Sequence, residues 1–140
     1  MIFRNLSLKK LESLGRTLGQ KYANQKLVIG LVGPLGAGKT TLTKSLAQAL
    51  GIASIKSPSF VVMHEYQLRK SKFYHLDFYR LKHVQETAIF GLEEILSGDN
   101  LVLIEWADRF PEILKKCNII IQIQINEDQT RNVTIQNSKN

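Results

Sequence analysis

The stretch that decides the fold is LVIGLVGPLGAGKTTLTKSL, residues 27–46. It opens with Leu27–Val32, six apolar or glycine residues of the kind found in a parallel strand that is buried on both faces. Helical periodicity then runs over residues 39–50, and Gly51 is a suitable residue to end that helix. Between them, residues 33–40 (GPLGAGKT) match G-x-x-x-x-G-K-[ST] at every fixed position. A strand, a glycine-rich loop and a helix in this order predict a phosphate-binding loop, the P-loop.

The residue types of this loop suit an anionic ligand. Gly36 and Gly38 let backbone amides curve around phosphate oxygens where a Cβ atom would prevent close approach. The helix that begins at Lys39 directs its unpaired amides and the positive end of its dipole toward the same point. Lys39 adds a mobile cation for the β- and γ-phosphates, and the Thr40 hydroxyl is a ligand for Mg²⁺. The loop therefore predicts a site for a magnesium nucleotide.

Two carboxylates are candidates to complete that site. A bound magnesium nucleotide needs a second protein contact to the metal, usually from an acid at the end of a neighbouring buried strand. Glu105 ends the apolar run 101–104, and Asp77 ends the strand pattern that precedes it in the chain. Either carboxylate can orient the attacking water, and the sequence does not decide between them.

The remaining chain alternates between helical and strand patterns. Helical patterns cover residues 8–22, 39–50 and 83–97, the last broken near Gly91; strand patterns cover residues 27–32, 60–66, 72–78 and 101–105 and a closing hairpin at 119–125 and 131–135. No repeat or linker divides the chain, so we expect one domain over residues 1–140. The fold class is α/β, a P-loop NTPase-like three-layer domain with a mostly parallel central sheet and antiparallel edge strands.

Composition and charge narrow the function classes. The 140 residues are 44% hydrophobic and 22% charged, which excludes a disordered or fibrous chain. The net charge of +7 is uneven, since residues 1–70 carry +9 and residues 71–140 carry −2. The single cysteine, Cys117, excludes an intramolecular disulfide, and we expect it to be a small buried hydrophobe. With no apolar leader and no run approaching about 20 apolar residues, we expect a cytoplasmic protein without membrane contact.

Five segments together resemble one known family. They are residues 33–41 (GPLGAGKTT), 56–60 (KSPSF), 74–80 (YHLDFYR), 91–94 (GLEE) and 104–109 (IEWADR). Their order and spacing over nearly the whole chain are similar to those of the TsaE family, the small P-loop ATPases of bacterial tRNA threonylcarbamoyladenosine biosynthesis.

The resemblance implies a single P-loop ATPase domain that binds ATP and Mg²⁺ and hydrolyses ATP slowly on its own. Such a protein is required for threonylcarbamoylation of adenosine 37 in tRNA but is not itself the transferase. It acts in a heteromeric complex with TsaD and TsaB, which stimulate it, and it meets tRNA indirectly through that complex.

The resemblance also implies roles for individual residues. Thr40 and Glu105 hold Mg²⁺, while Asp77, Lys39, Glu105 and Trp106 serve catalysis. The residues implied to bind the nucleotide are Gly36, Ala37, Gly38, Lys39, Thr40, Thr41, Ser59 and Arg131.

The segment at residues 57–60 is implied to be a nucleotide-sensing switch, and there the chain departs from the family. Ser59 stands where the family usually has threonine. Serine keeps the hydroxyl but lacks the methyl group that restrains a threonine rotamer. We expect its contact with the γ-phosphate and metal to survive with looser geometry.

Other functions share parts of this pattern. A small-molecule kinase uses the same loop and metal, but usually adds an arginine-bearing lid, and residues 82–100 are acidic without arginine. A direct RNA-binding module would use the positive charge, but the chain lacks a recognisable RNA-binding motif. A GTPase would carry an N-K-x-D signature, which the sequence lacks. Arg80 and Arg109 are candidate arginine fingers in cis, and a partner is the alternative source of one.

The histidines and the tryptophan leave alternatives open. His64, His75 and His83 are not predicted to form a metal set, because no cysteine joins them and the first two lie on separate predicted strands. His75 either tunes the site beside Asp77 or has a plain structural role. Trp106 is either ordinary core or packs against the site next to Glu105.

Overall fold

The computed structural model describes residues 1–56 and 62–138. In chain order, the elements are β1 (Ile2–Leu6), α1 (Leu8–Tyr22), β2 (Leu27–Val32), α2 (Lys39–Ala49), β3 (Met63–Gln67), β4 (Lys72–Asp77), a 3₁₀ helix (Val84–Phe90), α3 (Leu92–Ser97), β5 (Asn100–Glu105), a second 3₁₀ helix (Ala107–Arg109), α4 (Pro111–Leu114), β6 (Ile119–Ile125) and β7 (Arg131–Asn137).

The seven strands form one sheet in the order β1-β7-β6-β2-β5-β4-β3. Strands β6, β2, β5 and β4 are parallel to their neighbours in that group, whereas β3 at one edge and β7 and β1 at the other pair antiparallel. This arrangement confirms the predicted parallel core with antiparallel edges. Strand β1 was not predicted from the sequence, and it adds a second antiparallel strand beside β7.

Helices cover both faces of the sheet and give the three layers. On one face, α1 and α2 bury Leu11, Leu18 and Leu46 against Ile29 and Leu31 of β2. On the other face, α3 and α4 pack through a second apolar cluster, whose members include Leu92, Ile95, Val102, Ile104, Ile113 and Cys117. Burial raises the pKa of the Cys117 thiol to about 12, so this cysteine is an unreactive core residue.

The helix pair on the first face depends on two glycines. Gly15 and Gly19 of α1 lie against α2, where a Cβ atom on Gly15 would overlap Ser45 Oγ and lie 2.8 Å from the Leu42 carbonyl oxygen. Helix α1 begins after Ser7, whose side chain accepts a hydrogen bond from the Lys10 amide, as a Ser N-cap does. This close packing sets α2, and therefore the loop that precedes it, against the sheet.

Most boundaries agree with the sequence patterns. Gly91 separates the 3₁₀ helix from α3 with φ of +70°, which explains the break predicted there. The strand predicted over residues 60–66 begins at Met63, and residues 60 and 61 lie outside the described residues. The short helical segment from Ala107 to Leu114 was not predicted, because its turns are too brief to show periodicity. Within the described residues, no helix is long and apolar enough to cross a membrane.

Topology gathers the candidate site residues at one edge of the sheet. The loop 33–38 follows β2, Glu105 ends β5 and Asp77 ends β4, all at the carboxyl ends of parallel strands. Arg131 reaches the same edge from the other direction, because β7 runs antiparallel to β6 and its first residue, Arg131, pairs with Ile125 at the end of β6. Ligands bind at this edge in open α/β sheets.

Candidate active site

The loop after β2 has the backbone conformation that its glycines predicted. Gly36 and Gly38 adopt φ values of +77° and +105°, a region that side chains with a Cβ atom rarely enter. A Cβ atom on Gly38 would lie 2.5 Å from Leu11 Cδ2, whereas the space beside Gly36 is open. The loop therefore leaves room on the Gly36 side and is packed on the Gly38 side.

Arg131 holds this loop from outside. Its Nε donates to the Ala37 carbonyl oxygen at 3.2 Å, and one terminal nitrogen donates to the Gly36 carbonyl oxygen at 3.2 Å. The other terminal nitrogen donates to the Gln129 carbonyl oxygen at 2.6 Å. In a trans peptide the amide of the next residue points away from the carbonyl, so this grip turns the amides of Ala37 and Gly38 away from Arg131. Arg131 thus orders the loop as well as lining the cavity beside it.

Lys39 is nearly buried and fully engaged. Only 6% of its surface is exposed, and its ammonium donates to the Gly33 and Pro34 carbonyl oxygens at 2.5 and 2.8 Å. The same ammonium lies 4.2 Å from the centre of the Trp106 ring, a cation–π contact. Burial lowers the pKa of Lys39, while the charges of Glu105, Asp77 and Asp108 oppose that shift. Lys39 therefore lies within the electrostatic influence of three carboxylates, those of Glu105, Asp77 and Asp108.

The two candidate acids lie side by side on adjacent strands, since Asp77 of β4 is in register with Glu105 of β5. Glu105 is 3% exposed, and its Oε2 lies 2.6 Å from Nε2 of the fully buried His75. Asp77 accepts a hydrogen bond from the Tyr79 amide at 2.9 Å. Burial chiefly raises the pKa of Asp77 and the charge of Glu105 adds to this, while the Tyr79 amide, His75 and Lys39 oppose it. Glu105 is thus held in place by His75, whereas the surroundings of Asp77 make its ionised form less favourable than that of an ordinary aspartate.

Trp106 closes the site after β5. Its backbone has φ of +60°, the left-handed region that a bulky residue rarely occupies. A hydrogen bond from its amide to the Leu31 carbonyl oxygen, at 3.0 Å, ties it to the P-loop strand. The ring centre of the partly exposed Tyr79 lies 4.8 Å from that of Trp106. Trp106 therefore packs against the second apolar cluster and also contacts Lys39 and the exposed Tyr79.

These groups line one cavity of about 370 Å³. Its lining residues are Leu8, Leu35, Gly36, Gly38, Lys39, Thr40, Thr41, Asp77, Glu105, Trp106 and Arg131. Of the residues predicted for the site, Ala37 is buried behind the loop and contributes its carbonyl to Arg131, and Ser59 lies outside the described residues. The structure brings the others together.

Two apolar lining residues and one acid near the site were not predicted from the sequence. Leu8 and Leu35 are 46% and 67% exposed at the cavity wall, and Asp108 acts on Lys39 through its charge. Leu35 stands at one of the unspecified positions of the P-loop motif, so its place beside the site could have been predicted from the motif. Leu8 looked like any residue of the α1 apolar stripe, because only the fold brings it to the site.

The donor chemistry fits a magnesium nucleotide. The loop offers backbone amides around two glycines of positive φ, and the Thr40 hydroxyl lies in the first turn of α2. The carboxylates of Asp77 and Glu105 line the same cavity as Lys39. Within residues 1–56 and 62–138, no three His, Cys, Asp or Glu side chains are grouped to hold a metal by themselves. Magnesium in nucleotide sites takes many of its ligands from phosphate and water, so one hydroxyl and one carboxylate are an ordinary protein share.

Comparisons with known proteins agree with this geometry. Residues 6–133 match the family model described as threonylcarbamoyl adenosine biosynthesis protein TsaE. A tRNA threonylcarbamoyladenosine biosynthesis protein TsaE from Haemophilus influenzae is 33% identical over 115 residues, which cover 81% of this chain and 72% of that protein. The protein of the same name from Bacillus subtilis is 40% identical over 108 residues, covering 76% of this chain and 67% of the relative.

A solved structure extends the likeness to three dimensions. The crystal structure of Bacillus subtilis YdiB superposes with a TM-score of 0.77 at 30% identity, over 99% of this chain and 86% of that one. The family match spans the P-loop, both acidic strands and the start of β7. The chain therefore belongs to the TsaE family of tRNA threonylcarbamoyladenosine biosynthesis proteins.

Proposed function

We propose that this protein is a Mg²⁺-dependent ATPase of low intrinsic activity that supports threonylcarbamoylation of adenosine 37 in tRNA. One observation carries the proposal: the lysine of a complete P-loop faces two adjacent carboxylates inside a single cavity at the ligand-binding edge of the sheet. Family membership supplies the pathway, and the cavity supplies the chemistry. The protein is not itself the threonylcarbamoyl transferase.

The residues divide the work of phosphoryl transfer to water. Amides of Gly36 and of residues 38–41 and the Lys39 ammonium bind the phosphates, and Lys39 exchanges its contacts with Gly33 and Pro34 for phosphate oxygens. Thr40 and Glu105 would hold Mg²⁺, which neutralises phosphate charge when it is bound. Such a reaction depends on positioning and charge neutralisation more than on covalent chemistry.

Asp77 is the better candidate to orient and deprotonate the attacking water. Glu105 already has one oxygen committed to His75. Asp77 also lines the cavity, and only one of its two oxygens accepts from the Tyr79 amide. The raised pKa of Asp77 makes its carboxylate a stronger base than an ordinary aspartate. This division assigns metal binding to Glu105 and the water to Asp77.

Slow turnover follows from the arginines. Arg131 is the arginine that lines the described cavity, and three carbonyl oxygens already occupy its guanidinium. Neither of the two candidate fingers, Arg80 and Arg109, lines the cavity formed by the described residues, and Arg109 donates through Nε to the Leu81 carbonyl oxygen. A missing arginine finger leaves hydrolysis slower by about 10³–10⁵.

We propose that the partners TsaD and TsaB stimulate the ATPase, that tRNA is met through that complex, and that the protein acts in the cytoplasm.

Reconstitution tests the proposal. Lys39→Ala and Asp77→Ala proteins are compared with wild type in a tRNA threonylcarbamoylation assay that contains TsaD and TsaB, with ATP hydrolysis measured in parallel. We expect both variants to lose repeated rounds of modification. Lys44→Ala is the matched control, because Lys44 is an exposed lysine of the same helix outside the cavity. Full modification by both site variants would overturn the proposal.

A further inference from the structure

We infer that His75 is a positioning residue that fixes the Glu105 carboxylate for magnesium binding. The inference rests on the proposed function, because it takes Glu105 to be the metal-binding acid. It adds a residue whose side chain reaches the site only through another side chain, and which lies behind the cavity rather than on its wall.

The sheet sets up this contact. His75 and Asp77 are two apart on β4 and therefore share a face, and Asp77 is in register with Glu105 on the adjacent parallel strand β5. Glu105 can thus reach back along that face to His75, and the Nε2 to Oε2 distance is 2.6 Å. A carboxylate that binds Mg²⁺ is ionised and only accepts hydrogen bonds, so the inference assigns the donor role to His75 Nε2.

Burial strengthens this hydrogen bond. His75 has 0% and Glu105 3% of its surface exposed, so water does not compete strongly for either side chain. A short hydrogen bond to a carboxylate is among the stronger ones in proteins. It holds one oxygen of Glu105 and the rotamer of its side chain, and leaves the second oxygen available to the cavity.

Packing alone does not account for a histidine at this position. Its Nδ1 atom is buried without a hydrogen-bond partner, within the part of the chain that the structure describes. A buried polar atom in that state is unfavourable, and an apolar side chain of similar size would avoid it. The favourable use of the ring is its Nε2 donor, which suits the orientation of a metal-binding carboxylate.

Three variants test this role. His75→Leu removes the donor, His75→Gln keeps an N–H donor, and His64→Leu is the matched control. His64 lies directly opposite His75 on β3, and it too has a buried ring nitrogen, Nε2, without a partner. The first readout is ADP binding, which is monitored through the fluorescence of Trp106, the single tryptophan. It is measured in EDTA and across a Mg²⁺ titration.

We expect His75→Leu to raise the Mg²⁺ concentration needed for its half-maximal effect on ADP binding by about 10–100-fold. Its ADP affinity in EDTA should stay close to that of wild type, His75→Gln should recover much of the metal response, and His64→Leu should match wild type. A wild-type Mg²⁺ response in His75→Leu overturns the inference. Glu105→Gln, measured alongside, separates the two levels: if Glu105→Gln also keeps the wild-type response, the metal assignment in the proposed function is what fails.

A second measurement does not depend on the variants folding. ¹⁵N NMR of the imidazole nitrogens in wild-type protein should show His75 protonated at Nε2 and unprotonated at Nδ1. Adding ADP with Mg²⁺ should shift the His75 Nε2 resonance, and ADP in EDTA should shift it less. A His75 ring that carries its proton on Nδ1 alone would overturn the inference, because that ring cannot donate to Glu105.

Discussion

The ammonium of Lys39 lies 4.2 Å from the centre of the Trp106 ring while it donates to two carbonyl oxygens of its own loop. The P-loop lysine is thus held by protein groups that a phosphate can replace. Trp106 in turn contacts Tyr79, which is 45% exposed, so a surface aromatic is connected to the lysine through one ring.

The ring of Trp106 should matter to activity through its face. Because Trp106→Phe keeps an aromatic face and Trp106→Ala removes it, we expect the alanine variant to lose more ATPase kcat/KM. A desolvated cation–π contact contributes about 2 kcal/mol, which corresponds to roughly a 30-fold loss in Trp106→Ala. Steady-state hydrolysis assays check this order. Equal losses in the two variants would show that the indole, rather than any aromatic face, is required.

The raised pKa of Asp77 predicts a gain in stability when its charge is removed. A carboxyl whose folded pKa exceeds the unfolded value of 3.8 is destabilising when ionised, and this penalty disappears as the pH falls through the folded pKa. We therefore expect Asp77→Asn to raise Tm at pH 7 to 8 and to have no such effect below about pH 4. The same variant should lose ATPase activity. Thermal unfolding across pH measures the first effect.

Glu86 is the control of opposite sign for the Asp77 measurement. Its carboxylate accepts hydrogen bonds from the Lys82 and His83 amides at 2.7 and 2.8 Å, and these bonds hold its pKa below the ordinary value of 4.5. The contribution of Glu86 to the stability of the fold is present at pH values above that ordinary pKa, and it is lost as the pH falls through the lower, folded pKa. Glu86→Gln should therefore lower Tm at neutral pH. An identical pH dependence for the two variants would contradict the Asp77 assignment.

The parallel core and the P-loop were predictable because their signals are local. An unbroken apolar run, a glycine motif and a helical period lie within residues 27–46, and no distant partner is needed to interpret them. Strand β1 has no such signal, since only Phe3 and Leu6 are partly buried and its pairing comes from β7. Its existence depends on a strand more than a hundred residues away.

The candidate site was predictable as a set of residues but not as a set of contacts. Glu105 and Asp77 were identified because each ends a strand pattern, yet nothing local says that β4 lies beside β5 in the register that joins His75 to Glu105. Arg131 was expected through family resemblance to line the nucleotide pocket. Its hydrogen bonds to the loop carbonyls depend on how β7 meets the P-loop edge, which is a property of the whole sheet.

The contact between α1 and α2 should tolerate no side chain at Gly15. A Cβ atom there overlaps Ser45 Oγ and lies 2.8 Å from the Leu42 carbonyl oxygen, so Gly15→Ala must push the helices apart. Overpacking of this kind destabilises by about 1–3 kcal/mol, measured as a change in the free energy of unfolding in urea. Ser13→Ala, at an exposed position of the same helix, is the control, and a Gly15→Ala protein as stable as wild type would contradict the close packing.

The grip of Arg131 on the loop should be separable from its charge. Arg131→Lys keeps a positive charge beside the cavity but cannot span the carbonyl oxygens of Gly36, Ala37 and Gln129 with one planar group. Hydrogen bonds from a charged donor contribute about 1.5–3 kcal/mol, so losing one such bond predicts ADP binding weaker by roughly 10–100-fold. Calorimetric titration with ADP measures this. If Arg131 acted only as a positive charge near the phosphates, Arg131→Lys would bind ADP like wild type and Arg131→Ala alone would be impaired. If Arg131 orders the loop, both variants lose affinity, and the loss in the lysine variant persists at high salt, where an exposed charge contributes least.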